Sequence, residues 1–443
     1  MEFLANIADQ VMFCVQNVWT QSYDHFAGMP IWVSLIVCFP LVAFIEVPRY
    51  TFPAVLLILR HFFWRPYDDH QEKQNFMDRK PSVSILLVGL NEEATIEKAI
   101  NALLEFNYPN MEIIVVDDNS TDRMYEKALP YALRGQIRLF KNSAASGRGG
   151  RPTASNTAFA MAKGEYILSV DADTAFNHTL LTEMIGSFYD PTVGVVAANL
   201  KVLNSRENFL TRMQTLEYLQ SISLWKSWLT LLGWNMQASG ACGALRREAL
   251  LAAGGWNAEL GEDADISLQA NRSGWRTQFC IHAHSVTKVP STWKSLIKQR
   301  YRWDRGTVRT YYQKHGDMAK FWEYGWENAG EIILEYFTSV VLGVIYPIWL
   351  VGMLLYDPFF LVAIVFICYF FYAFSAMLST TAALLISHAP AAEWTAVVDG
   401  LWFPFYKSVF RWVRIYSTVL SVLRINYEDS YIPQTAWRNA PRW

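Results

Sequence analysis

A doubly wound α/β domain joined to membrane-spanning helices is the fold class this sequence predicts, and three observations carry it. Through the middle of the chain, short wholly apolar runs alternate with segments of helical periodicity. Long apolar stretches flank that middle on both sides. The charged fraction, 18% of 443 residues, lies below the ~25% of ordinary soluble domains, and the shortfall is concentrated toward the C-terminal end. The net charge of −2 leaves no cationic surplus for a phosphate backbone, so nucleic acid is excluded as a partner.

Residues 1–64 form the first unit. Their opening 28 residues are polar-amphipathic, with no basic start and no small-residue cleavage site, so no cleavable signal peptide is expected. Ile31 to Trp64 is strongly apolar but interrupted by Glu46, Pro48 and Arg49. A membrane span needs about 20 apolar residues, so this stretch is either one long kinked helix or two short ones around Val47-Pro48-Arg49. Arg65 to Lys80 is polar and reads as a linker.

Residues 81–290 form the α/β domain. Val83 to Leu90, Glu112 to Val116, Tyr166 to Val170 and Gly194 to Ala197 are apolar runs of strand length. Glu92 to Phe106 carries helical spacing between the first two. Strands buried on both faces and separated by helices predict a parallel sheet. Ligands bind beyond the carboxyl ends of such strands, which makes the polar residues just after each run the candidates for chemistry.

Residues 291–328 follow as amphipathic helices rich in Lys and Arg. Both this segment and Phe209 to Trp234 fit either the membrane interface or the packed surface of the α/β domain. Residues 329–425 contain apolar stretches at about Ile332 to Leu355, Phe359 to Ile386 and Val397 to Leu423, each long enough to span. The last carries Lys407, Arg411 and Arg414, which are costly in lipid unless they snorkel or face a wet cavity. Residues 426–443 are a tail. Cys14, Cys38, Cys242, Cys280 and Cys368 have no paired spacing, so free thiols are expected rather than disulfides or a zinc site.

The chemistry concentrates at the strand ends. The first run ends in Asn91-Glu92-Glu93, the second in Asp117-Asp118 and the third in Asp171-Ala172-Asp173. One acidic loop is ordinary turn chemistry; carboxylates at successive strand ends of one sheet point to a site. Glu92 and Asp118 are candidate substrate contacts. Asp171 and Asp173 are candidate ligands for Mg²⁺ or Mn²⁺, hard cations that take one or two carboxylates plus substrate phosphates. Glu262-Asp263 opens a helix after the Gly254-Gly255-Trp256 turn. Dipole complementation explains an acidic pair there, and so does a general base that takes a proton from an attacking hydroxyl. Gln299-Arg300-Tyr301-Arg302-Trp303 lies on a helical stretch, where Arg302 offers a planar fork to diphosphate oxygens and Trp303 a face to a sugar ring.

In order, Asp118, then Asp171 with Asp173, then Glu262-Asp263, then Gln299, Arg302 and Trp303 resemble the D, DxD, ED and QxxRW motifs of the processive family 2 inverting glycosyltransferases. These include the hyaluronan, chitin, cellulose and poly-N-acetylglucosamine synthases. The resemblance spans about Ser82 to Arg309. It implies a GT-A, Rossmann-like catalytic domain, a UDP-sugar donor, a divalent metal and a β-linked polysaccharide as acceptor and product. Asp118 would contact the uracil, Asp171 and Asp173 the UDP–metal complex, and Asp263 would be the base with Glu262 beside it. Gln299, Arg302 and Trp303 would hold the diphosphate and the acceptor sugar. The family's diphosphate-binding Lys is matched by Arg151, within a flexible basic loop that also contains Arg148. Gly261 stands where the family often has Thr.

The resemblance also implies a multi-pass inner-membrane protein whose catalytic domain faces the cytoplasm, with accessory membrane or periplasmic subunits among its partners. No C-terminal cyclic-di-GMP-binding domain is expected. Ser239 to Gly243 would floor the acceptor pocket, with Cys242 a small residue rather than a nucleophile. Transfer of a single sugar to a lipid-linked acceptor is the alternative enzymatic reading. A transporter is a third, disfavoured because its polar site would lie mid-membrane.

Overall fold

The computed structural model describes residues 30–64, 70–142, 150–257 and 260–423. The opening 28 residues, Arg148 with its neighbouring glycines, and the tail 426–443 lie outside the described residues.

The N-terminal apolar stretch divides at Phe39-Pro40, between a short helix Ile31–Cys38 and the long helix α1, Val42–Phe63. Of the two forms expected, the helix is continuous through Val47-Pro48-Arg49, with a π-helical irregularity there in place of a break. Pro40 restricts the residue before it and donates no hydrogen bond, whereas Pro48 sits within a widened π-helical stretch, Val42–Thr51, whose geometry accommodates the missing N–H.

The α/β domain is built on a mixed eight-stranded sheet in the order β3-β2-β1-β4-β7-β6-β8-β5. The strands are β1 (Val83–Gly89), β2 (Met111–Asp117), β3 (Arg138–Lys141), β4 (Tyr166–Asp171), β5 (Ala175–Phe176), β6 (Val193–Val202), β7 (Cys242–Arg246) and β8 (Arg276–Thr287). β3, β2, β1 and β4 run parallel, as expected. β7 enters antiparallel between β4 and β6, so the sheet is mixed rather than wholly parallel. Every residue of β1 is buried, because helices cover both faces: α2 (Ile96–Leu104) on one side and α3 (Gly150–Met161) on the other.

Register fixes what lies at the sheet edge. Gly89 at the end of β1 pairs with Asp117 on one side, and Val88 pairs with Asp171 on the other. The carboxylates of β2 and β4 therefore flank the end of β1. Asn91 and Asn119 turn the chain there in the left-handed region (φ 58° and 62°), which Asn tolerates better than most residues.

Four helices shape the lower wall of the domain: α4 (Phe209–Tyr218), α5 (Trp225–Leu232), α6 (Glu262–Arg272) and α7 (Trp293–Thr307). Asn208 caps α4 by accepting from the Thr211 N–H while Thr211 returns the bond, a capping box. α8 (Trp326–Tyr356) and α9 (Pro358–Ile386) follow. Among the described residues, three helices (α1, α8 and α9) are long and apolar enough to cross a membrane.

The third predicted C-terminal span behaves differently. Its helix, α10 (Phe403–Val422), begins later than expected and does not meet that standard, because Lys407, Arg411 and Arg414 dilute its apolar content. It runs alongside α7 in the same direction. Tyr406 packs on Trp293, Phe410 lies beneath Arg300, and Ser417 bonds Asp304.

Candidate active site

The strand-end loops are first tied to one another. The Asn91 side chain accepts from the Thr121 N–H at 2.8 Å, and Ser120 Oγ accepts from the Asn91 N–H at 2.9 Å. Asp122 accepts from the Glu93 N–H at 2.8 Å, and Arg123 clamps Glu93 at 2.6 Å. Asn91, Glu93 and Asp122 are therefore loop-building residues. Asp118 is buried and accepts from Asn142 at 2.9 Å. Glu92 accepts from the Thr95 hydroxyl at 2.7 Å, and burial pushes its carboxyl above the usual range, with Asp173 and Asp122 adding to the rise.

Beyond β4 the predicted residues converge. Arg151, at the start of α3, reaches Asp171 at 2.5 Å, Glu262 at 3.2 Å and the Gly240 carbonyl at 2.5 Å. Asp263 stands in the first turn of α6, where the helix end favours negative charge. Its Oδ2 accepts from the Gly240 N–H and its Oδ1 from the Ala264 N–H, each at 2.9 Å. Space at Gly240 is tight: a Cβ there would lie 3.1 Å from Arg151 Nη1 and 3.2 Å from Asp263 Oδ2, so both side chains would have to give way by a few tenths of an ångström. Asp265, on the same helix, is spoken for. Although buried, it is held below the usual carboxylate range by His315, Lys314 and Asn257.

A cavity of 620 Å³ joins these groups to the membrane helices. Arg151, Asp171, Asp173, Glu262 and Asp263 line one end. Gln299, Arg302 and Trp303 from α7 also line it, as do Glu46 and Arg49 of α1, Glu335 of α8, and Lys407, Arg411 and Arg414 of α10. Glu92 and Asp118 are not among its lining. Gln299 Oε1 is buried and accepts no hydrogen bond, which leaves an acceptor free for a ligand hydroxyl. Trp303 is 40% exposed, with the Arg300 guanidinium 4.3 Å over its ring. Arg300 itself is fixed by Glu217 at 2.9 Å.

The electrostatics suit a cation and a diphosphate. Burial pushes the Asp171 carboxyl up to about 6 against the pull of Arg151, with Asp173, Asp263 and Glu92 adding. Burial also raises Glu262, again against Arg151. Carboxylates crowded this closely out of water fit a divalent cation. No group of three or more His, Cys, Asp or Glu among the described residues could hold a metal alone. Asp171 and Asp173 would therefore supply part of the coordination, and substrate phosphates the rest.

Sequence reasoning missed Lys226. It is buried on α5, lines the cavity and donates to the Gln237 carbonyl at 3.0 Å. Burial brings its ammonium down to about 8. A lysine among Trp225, Trp228 and Leu229 reads as an interface anchor, and nothing local marks it otherwise. Glu46 and Arg49 did leave a signal, as charges inside an apolar stretch. Cys242 is buried on β7, and burial raises its thiol, which suits the small-residue reading and not a nucleophile. Ser239, Gly240 and Ala241 line the cavity.

A Rossmann-like mixed sheet with carboxylates gathered at its strand ends above a deep cavity defines a GT-A glycosyltransferase domain. Residues 84–252 match the family described as Glycosyl transferase family 2, and the chain thus carries a family 2 glycosyltransferase domain. Among curated proteins, it is 31% identical over 257 residues to the beta-monoglucosyldiacylglycerol synthase of Nostoc sp., covering 56% of this chain and 53% of that protein. It is 30% identical over 232 residues to the poly-beta-1,6-N-acetyl-D-glucosamine synthase of Staphylococcus aureus, covering 52% and 55%. The chain spans about half the length of the curated relatives it matches. Among solved structures, the mannosyltransferase PcManGT from Pyrobaculum calidifontis, in complex with GDP-Man and Mn²⁺, superposes with a TM-score of 0.52 at 20% identity. That match covers 84% of this chain and 99% of that one, a likeness of fold.

Proposed function

We propose that this chain transfers a sugar from a UDP-sugar to a growing β-linked polysaccharide, with inversion and with a divalent metal, and passes the product toward the membrane. The observation that carries the reading is the single cavity linking Asp171, Asp173 and Asp263 to the charged membrane helices. A polymerising site needs such continuity, because the acceptor must remain while its end advances. The synthase of poly-beta-1,6-N-acetyl-D-glucosamine among the relatives supports it.

In this reading Asp263 takes the proton from the acceptor hydroxyl. The Gly240 and Ala264 N–H groups hold its carboxylate in place. Arg151 and Arg302 bind the diphosphate oxygens, Gln299 accepts from a sugar hydroxyl, and Trp303 offers its face to the acceptor ring. Glu92 and Asp118 hold the nucleoside side of the donor. Asp171 and Asp173 would hold Mg²⁺ or Mn²⁺, which when bound neutralises the diphosphate and stabilises the departing nucleotide. The catalytic domain 81–290 faces the cytoplasm, and α1, α8 and α9 anchor it as a multi-pass inner-membrane protein, with accessory subunits free to join at the membrane.

A second reading, transfer of one sugar to a lipid acceptor, is favoured by the glucosyldiacylglycerol synthase among the relatives and by the cavity's contact with Leu41 and Ile45 of the first apolar stretch. The test is a panel of radiolabelled nucleotide sugars, GDP-mannose included, given to the purified full chain with Mg²⁺ or Mn²⁺. Label transfer from one UDP-sugar that stops on chelation supports the proposal. Transfer from GDP-mannose alone would overturn the uridine assignment, and unabated transfer under chelation the metal.

A further inference from the structure

The cavity wall among the membrane helices is charged, and most of its charges are matched. Lys407 bonds Glu46 at 3.0 Å. Arg49 pairs with Glu335 at 2.8 Å, and Arg414 pairs with the same Glu335 and lies 3.8 Å from Asp304. Arg411 sits between Lys407 and Arg414 on the same face of α10, at helical spacing. Yet it has no carboxylate within ion-pair distance among the described residues. Its one hydrogen bond is a long one, 3.5 Å to the Tyr372 hydroxyl. Its Nη1 is buried and makes none. The guanidinium stands 5.4 Å from the Tyr346 ring centre and 6.0 Å from that of Tyr372. Aromatic faces soften the burial of a cation without replacing an anion.

Glu46 acts on Arg411 electrostatically from beyond ion-pair distance, but its oxygens already receive Lys407 and Ser375. A guanidinium withdrawn from water without a directly bonded acid is costly, and the neighbouring cations show how the fold avoids that cost. An arginine left unmatched in the wall of a substrate cavity is matched by what enters it. The planar fork favours a bidentate oxyanion, and the aromatic lining of the cavity (Tyr50, Trp303 and Phe410 among it) suits pyranose rings. We infer that Arg411 is a subsite for a carboxylate carried on the saccharide acceptor, so that the acceptor class is a uronate-containing glycan. The inference rests on the polysaccharide reading above and specifies it.

The test compares β-1,4-linked tetraglucuronate with cellotetraose, which differ only in their carboxylates, by titration calorimetry on the full chain in nanodiscs of zwitterionic lipid. No donor or turnover is needed, so a failure here is separable from a failure of the transfer reaction. Wild type should bind tetraglucuronate at least about tenfold more tightly than Arg411→Gln does, the scale expected for a hydrogen bond to a charged group. Cellotetraose should bind both proteins alike, and Arg411→Lys should recover part of the difference. If Arg411→Gln fails to fold, the Arg411→Lys comparison carries the test, with a smaller but still uronate-specific loss. Equal affinity of wild type for the two probes would overturn the assignment, as would an equal loss of both in the variants. An effect seen only with polyprenyl phosphate added to the nanodisc would transfer Arg411 to a lipid phosphate and overturn the glycan assignment.

Discussion

Asp263, the base of the proposed reaction, is held by hydrogen bonds to backbone N–H groups. Both its oxygens accept backbone N–H groups, so the carboxylate cannot turn away from the cavity. Asp263→Asn keeps the shape and removes the base. Sugar transfer should fall by about 10² to 10⁴ while nucleotide binding, followed by calorimetry, stays near wild type. Loss of both together would instead make Asp263 a scaffold residue. Lys226 gives a separate prediction. Burial lowers it from 10.5 to about 8, so between those values the unfolded chain holds the proton that the folded chain has shed. Stability therefore rises with pH across that window, by up to about 3 kcal/mol. Thermal melts should show wild type gaining on Lys226→Met from pH ~8 to ~10; parallel curves would contradict the burial of its charge.

Among the elements, α1 and α10 are joined by a buried ion pair, beside the Tyr50 ring whose centre lies 4.1 Å from Lys407 Nζ. Glu46 is almost wholly buried and receives Lys407 at 3.0 Å and Ser375 at 2.7 Å. Removing one partner leaves a charge without compensation, which costs about 3–5 kcal/mol, whereas removing both costs far less. Lys407→Met should lower the melting temperature markedly, and the double variant with Glu46→Gln should recover most of it. A double variant as unstable as the single would show that the pair does not hold these helices together.

This pair also marks the limit of what the sequence discloses. The charges in apolar stretches were visible, but nothing local says that residues 361 positions apart answer each other. The parallel half of the sheet was legible, because β1, β2 and β4 are unbroken apolar runs buried on both faces. β7 was not: Cys242-Gly243-Ala244-Leu245-Arg246 has small residues and no strand period, and its antiparallel entry depends on tertiary pairing. β8 mixes polar and apolar residues and touches both β6 and β5, which blurs its alternation. The strand-end carboxylates were legible from position alone. Gly240 was not singled out as the residue that holds Asp263, because it does so through a backbone N–H, which side-chain identity does not disclose.

At the scale of the whole molecule, the strand-end carboxylates Asp171 and Asp173, with Asp263, share one cavity with residues of the candidate spans, and α7 and α10 contribute to its wall side by side. That arrangement explains why a helix carrying three basic residues is kept next to the candidate spans: its charged face looks inward, onto the cavity and onto the acids Glu46 and Glu335. Chain growth within one enclosure can be followed by a pulse-chase on product size. Purified full chain would receive a brief pulse of the labelled UDP-sugar it accepts, then excess unlabelled donor, with the product sized over time. The account predicts label that moves steadily into material of high molecular weight, without release of short intermediates. Label that remains in a lipid-linked monosaccharide, or in short chains that never lengthen under the chase, would contradict it.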